Sequence, residues 1–322
     1  MSLIDKNLTA QTNQESRISI IKKVEALTGR RLICYVTALN RENASLTSED
    51  KTGFSDLLEG VDGDGIDVLV NSPGGFAEVT ESIVGMLRSK YKSVRFVIPN
   101  SAKSAATLLA LSGDAILMDA RSELGPIDPQ VSYMTRQGPK REAAEAIIEG
   151  FNAAKEAVKK EGAATVPAYI PLLENYSVGL LQACANAKKL SETLALGWLS
   201  NYMFAGDDSD RAAKVTEYFA SHKETLSHGR AIRIDTCERL EMNVINLDKE
   251  EHRPLRDLIW SLWCHYELHL ERAPMVTKLY ENSSGCTVQK QSAQFQIIMP
   301  NPGVLPGLPG GPPVGPKRPS GK

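Results

Sequence analysis

Between residues 66 and 118 the chain repeats one local pattern, and the repeat narrows sharply what the chain can fold into. Apolar runs at 66–70, 94–98 and 115–118 are separated by helical patterns at 76–87 and 105–111. Each run is short, continuous and rich in Val and Ile, which is how a strand buried on both faces reads. In the first helical segment Phe76, Val79, Ile83, Met86 and Leu87 share one face. The second is a small-residue helix that ends before Gly113. Strands joined through helices must run parallel, with the helices packed across the sheet. The expected class is therefore α/β, built from repeated strand and helix units.

The flanks add elements to this frame. Ile18, Ile21, Val24 and Leu27 recur at helical spacing and stop at Gly29, a helix with a C-terminal glycine. Residues 32–36 read as a buried strand, and Ser48-Glu49-Asp50 as the cap of a helix carrying Phe54, Leu57 and Leu58. Beyond Gln130 the character changes. Residues 141–160 form an Ala/Glu/Lys-rich helix of high propensity, and 178–199 a less regular one. Residues 207–219 and 223–243 read as further helix with one short strand. Leu255, Ile259, Leu262, Trp263, Tyr266 and Leu270 trace an amphipathic helix behind Pro254, a residue suited to a first helical position. After Pro300 the chain is dominated by Pro and Gly, which neither continue a helix nor pair as a strand. These changes divide the chain into an arm (1–15), a core (16–200), a mainly helical extension suited to assembly (201–280) and a Pro/Gly-rich disordered tail (281–322).

Composition excludes several classes. A formal net charge of -2 over 322 residues asks for neither nucleic acid nor an anionic membrane as partner. Five scattered cysteines, odd in number and without a C-x-x-C pair, suit free thiols in a reducing compartment. No stretch approaches the roughly 20 consecutive apolar residues of a membrane span, and the first residues do not resemble a signal peptide. The expectation is a soluble, cytoplasmic protein.

Three corners of the repeat carry residues with chemistry. Ser72-Pro73-Gly74-Gly75 follows a strand and precedes a helix. Two glycines there bare backbone N–H groups in the positive field of a helix N-terminus. That builds an anion nest, an oxyanion hole or simply a tight turn. At Ala102-Lys103-Ser104-Ala105-Ala106 a serine stands where a helix opens, either as a nucleophile beside a second N–H donor or as an N-cap, with Ser101 competing for both roles. In Leu124-Gly125-Pro126-Ile127-Asp128-Pro129-Gln130 two prolines bracket an acid in a stiff segment, a groove wall or a rigid loop. Other signals fail. His265 and His269 are spaced as metal ligands on a helix but lack the following glutamate, Asp207-Asp208-Ser209-Asp210 lacks the glycine and distal acid of a calcium loop, and Gly63 and Gly65 lack the third glycine of a nucleotide fingerprint. No metal and no cofactor is expected.

Taken in order, Ser72 to Gly75, Ala102 to Thr107, Ala110 to Met118 and Leu124 to Gln130 resemble the serine dehydrogenase proteinase family. That family is related to signal peptide peptidase A and to the proteolytic subunit of the Clp protease, within the crotonase-like superfamily. The resemblance implies a repeated β-β-α superspiral core and a serine endopeptidase acting on a peptide or protein. It implies Ser104 as nucleophile, an oxyanion hole from Gly75, Ala105 and Gly74, and a groove wall at Gly125, Pro126 and Asp128. It also implies assembly into a homo-oligomer. The Clp subunit has a histidine where this chain has Ile127-Asp128, and all five histidines lie downstream, so a Ser-His-Asp triad is not implied. The signal peptide peptidase relatives use a lysine base, for which Lys155 is the nominee, with Lys159, Lys140 and Lys188 open. Lys103 adjoins the nucleophile, but neighbouring side chains diverge. Ala106 stands where the family usually has glycine, and many members carry a membrane-spanning segment that this chain does not show. Two other readings stay open: a peptide-binding scaffold without a base, and an acyl-CoA hydratase or hydrolase, which the lack of paired glutamates near the glycines disfavours.

Overall fold

Why the apolar runs are continuous is plain in the computed structural model, which describes residues 13–292 apart from 175, 208 and 209. Strands β1 (Arg31–Thr37), β2 (Gly65–Asn71), β3 (Ser93–Val97), β5 (Ala115–Met118) and β9 (Val244–Asn246) lie side by side and parallel. Alternate residues serve opposite faces. Ile33, Tyr35, Val68, Val70, Phe96 and Ile116 enter one core, and Leu32, Cys34, Val36, Leu69, Val97 and Leu117 the other. Helices α2 (Asp50–Leu58), α3 (Ala77–Lys90) and α4 (Ala105–Ala110) cover the first face. Helix α1 (Gln14–Thr28) and the late helix α11 (Arg253–Arg272) cover the second. Strands β10 (Val276–Asn282) and β11 (Thr287–Gln291) close one edge, antiparallel, in the order β11-β10-β1-β2-β3-β5-β9.

Beside this sheet, the chain segments leaving its strands pair again in short pieces. Strand β4 (Ser101–Ala102) runs parallel to β6 (Glu123–Leu124), and single bridges join Leu46 to Gly75, Ser72 to Ala102 and Leu124 to Ile232. A long strand, a short second strand and a helix thus recur as a β-β-α repeat. The other described strands and α-helices are the hairpin β7 (Gln130–Thr135) and β8 (Gly138–Ala143), then α5 (Ala144–Glu161), α6 (Val166–Leu173), α7 (Val178–Trp198), α8 (Arg211–Ala220), α9 (His222–Thr225) and α10 (Ile234–Arg239). Among the described residues no helix is long and apolar enough to cross a membrane.

Local chemistry explains the boundaries. Helix α1 starts earlier than its apolar spacing predicts because Asn13 Oδ1 accepts from Ser16 N–H (2.9 Å), and it ends at Gly29 with φ 67°. Helix α2 begins at Asp50 with no side-chain cap, so Ser48-Glu49-Asp50 is not a cap; the Asp50 carboxylate is buried instead. The helix expected from 141 starts at Ala144, because 138–143 pair in the hairpin. Two boundaries need correction. The segment 201–280 is no appendage, since β9, α11 and β10 complete the main sheet and its second core. Nor does the tail begin at 281, since residues 281–291 include the end of β10 and all of β11. The arm before 13 and the Pro/Gly segment from 293 lie outside the described residues. All five cysteines are free thiols.

Candidate active site

The site is assembled where β2 and β3 hand the chain to α3 and α4. Ser72 N–H donates to Ser101 O (2.9 Å) and Lys103 N–H donates to Ser72 O (3.0 Å), which places the glycine corner against the serine corner. The contact is too close for side chains. A Cβ on Gly74, whose φ is +87°, would lie 2.4 Å from Lys103 O and 2.8 Å from Ser104 Cβ. One on Gly75 would lie 2.2 Å from Leu46 O. Leu46 N–H donates to Gly74 O (2.7 Å), and Leu46 O accepts from Phe76 N–H (3.1 Å). In such a parallel pairing the residue between the two bonded neighbours turns its own amide away from its partner. The Gly75 N–H accordingly faces away from Leu46 and has no hydrogen-bond partner among the described residues.

Ser104 sits at the N-terminal boundary of α4 with φ 52° and ψ -121°, a conformation an L-residue adopts only under strain. Its side chain makes no capping bond, so the bland reading of Ser104 as an N-cap does not hold. Ala105 N–H, the first of the helix, is likewise without a partner among the described residues. Gly74 is different: its N–H donates to Ser72 Oγ (3.2 Å). Gly74 is therefore corrected from oxyanion donor to packing glycine.

Ser104, Gly75 and Ala105 open onto one cavity of about 190 Å³. Phe76 and Glu78 of the α3 start border it, and Ile127, Pro129 and Gln130 form a wall. Arg141 of β8 and Ala187, Leu190 and Ser191 of α7 add to the lining. The groove-wall expectation shifts by a few residues accordingly. Gly125 N–H donates to Thr107 Oγ1 (2.9 Å), which itself donates to Ala102 O (2.7 Å), so Gly125 anchors the wall from behind. Gly125 and its neighbour Pro126 do not line the cavity, and neither does Asp128. The Asp128 carboxylate is only 1% exposed. Its Oδ1 lies 2.7 Å from His228 Nδ1, within hydrogen-bond distance. Its Oδ2 accepts from Gln130 Nε2 (3.0 Å) and lies 3.3 Å from His222 Nδ1. Sequence reasoning missed these two histidines, and no local pattern could have joined them to an acid about a hundred residues earlier.

The lysines separate clearly. Lys155 is exposed on α5 and does not line the cavity. Lys140 is exposed too, and Lys159 is paired with Glu156 in solvent. Lys103 Nζ donates to Glu123 Oε2 (2.6 Å) and to Leu124 O (3.1 Å), behind the wall. Lys188 shares a turn of α7 with Ala187, Leu190 and Ser191, and its Nζ bonds Glu145 Oε1 (3.0 Å). Burial pushes the Glu145 carboxyl up, but hydrogen bonds from Lys188 and from His222 N–H prevail and hold it below the usual range.

Residues 57–150 match the model of the ClpP-like SDH-type serine proteinases. Two uncharacterized proteins of Methanocaldococcus jannaschii are similar to parts of the chain. One is 26% identical over 129 residues, which cover 37% of this chain and 45% of the relative. The other is 32% identical over 120 residues, covering 35% of this chain and 37% of the relative. The matched stretch thus spans less than half the length of either. Among solved structures, a mutant of a membrane-bound stomatin-specific protease in complex with a substrate peptide is 17% identical, with 77% of this chain and 83% of that chain covered and a TM-score of 0.38. For ClpP1 from Listeria monocytogenes the identity is 12%, the coverage 71% and 99%, and the TM-score 0.37. The stretch that holds Gly75, Ser104 and Ala105 carries the sequence pattern of the ClpP-like SDH-type serine proteinases.

Proposed function

We propose that this protein is a serine peptidase that cleaves peptide bonds through an acyl-enzyme on Ser104. One observation carries the reading: a strained, non-capping serine hydroxyl shares a cavity with the unpartnered amides of Gly75 and Ala105. Donors held in advance at the site of a developing oxyanion are the largest single contribution in many acyl transfers. The family match over the same residues supports a peptide or protein as substrate, and an assembly of identical chains is proposed on the same ground.

A lysine is the proposed general base, and Lys188 has a stronger claim than Lys155. Neither lysine lines the cavity itself, but Ala187, Leu190 and Ser191 beside Lys188 do, and Lys188 is half-buried whereas Lys155 is exposed. In the free protein Lys188 Nζ is bonded to Glu145, so to act as base it must exchange Glu145 for the Ser104 hydroxyl and leave a proton with Glu145 or with water as it does so.

The test is labelling by a fluorophosphonate, followed by mass spectrometry. The adduct is expected on Ser104, and Ser104→Ala is expected to abolish it and to lower peptide hydrolysis more than about 1,000-fold. Labelling elsewhere, or hydrolysis unchanged in Ser104→Ala, would overturn the reading. Lys188→Met should lower hydrolysis as strongly, and Lys155→Met should leave it near the parent value.

A further inference from the structure

A group of fully buried charges lies outside the cavity, beneath residues 45–50. Lys278 of β10 is 3% exposed and Asp50 is 0% exposed. Lys278 Nζ donates to both carboxylate oxygens of Asp50 (3.0 and 2.7 Å) and to Ser45 O (2.7 Å). Asp50 also accepts from Thr47 N–H (2.6 Å), from Tyr35 Oη–H (3.3 Å) and from Tyr280 Oη–H. Every ammonium proton therefore has an acceptor, and the carboxylate is surrounded by donors.

Burying a cation and an anion together is a weak source of net stability, and its best-attested use is to select one arrangement. What this pair selects can be followed along the backbone. The cation holds the carbonyl of Ser45 and the anion holds the amide of Thr47. Leu46, the residue between, bonds Gly74 O and Phe76 N–H and so turns the amide of Gly75, a residue that lines the cavity, away from itself. A donor serves an oxyanion only when held within about 0.5 Å of its working position. Leu46 itself is held by packing in the first core and by these two bonds, and the buried pair holds the residues on either side of it.

We propose that Lys278 and Asp50 are positioning residues for the Gly75 amide, acting through Ser45, Leu46 and Thr47 without touching substrate. The proposal rests on the reading of Gly75 as an oxyanion donor. It assigns a role in the site to a strand some two hundred residues downstream of the glycine corner.

The test compares Lys278→Met, which strands a buried carboxylate, with the double variant Lys278→Met and Asp50→Asn, which leaves no unpaired charge. Thermal unfolding should show a marked loss in the single variant and a substantial recovery in the double. The hold on Ser45 O must stay lost in both. Amide hydrogen exchange at Leu46 and Phe76 should be about tenfold faster or more, and fluorophosphonate labelling of Ser104 about tenfold slower or more. Peptide affinity, measured in a Ser104→Ala background, should stay within about twofold because the substrate-binding walls are untouched. Parent-like exchange and labelling in a folded double variant would overturn the proposal and leave the pair a structural one. Exchange needs no chemistry at Ser104. A parent protein that resists labelling would therefore sink the peptidase reading, while the exchange rates still decide the positioning.

Discussion

Ser104 carries two loads at once. Its backbone, at φ 52° and ψ -121°, keeps a residue type where glycine is the comfortable occupant. Strain of this kind costs on the order of 1–3 kcal/mol and persists only where the surroundings enforce it. Here Gly74 is packed against Ser104 Cβ, and Leu108 N–H takes the Ser104 carbonyl (3.0 Å). Removing the side chain should relieve the strain, whereas alanine keeps the Cβ and with it the strain. Ser104→Gly is therefore expected to be about 1 kcal/mol more stable than Ser104→Ala in chemical denaturation, with both inactive. Equal stability would mean that the elbow is relaxed in solution. The serine was legible in the sequence because a small-residue corner after a strand is a local signal. The division of labour between Gly74 and Gly75 was not, because it depends on which amide Ser72 and Leu46 leave free.

Among the elements, helices α1 and α11 are joined to β10 by one buried cluster. Arg17 donates through Nε and Nη2 to the two oxygens of Glu281 (2.9 Å each), and Tyr266 Oη–H donates to the same carboxylate (2.8 Å). Arg17 and Glu281 are each 1% exposed. Replacing Arg17 by Met would leave the acid buried without its cation, which costs about 3–5 kcal/mol. The unfolding free energy of Arg17→Met should fall by that amount, and a loss under 1 kcal/mol would show that water reaches Glu281. The amphipathic pattern of α11 was readable from its apolar spacing. Its partner was not, because Arg17 reads as an ordinary charge on a helix and meets Glu281 only when β10 inserts beside β1.

Across the whole molecule, closing the sheet with late strands creates a sensitivity to acid. His269 of α11 is partly buried, and desolvation together with the nearby Arg17 pulls its imidazole below the ordinary value, against a hydrogen bond to Gln289 and the charge of Glu281. The folded protein keeps the ring neutral where the unfolded chain would protonate it. Its contribution to stability is therefore complete above the ordinary value of 6.5 and declines as the pH falls below it. The melting temperature of the parent should drop more between about pH 7 and about pH 5.5 than that of His269→Gln. Parallel curves for the two proteins would show that the ring is protonated with little cost.

What the sequence alone determined is whatever is encoded over a few neighbouring residues. Continuous Val and Ile runs specified strands buried on both faces, Gly29 ended a helix, and the corners around Gly75 and Ser104 marked where strands hand the chain to helices. The tertiary structure decided what depends on distant partners. Asp50, read as part of a helix cap, became the counter-ion of Lys278, 228 residues away. Asp128, read as a groove wall, turned to His222 and His228. Residues 276–291, read as extension and tail, became strands of the main sheet. The physical reason is the same each time. Backbone conformation answers to local propensity, but a buried polar group is placed by whichever distant partner satisfies it, and the fold alone brings that partner near.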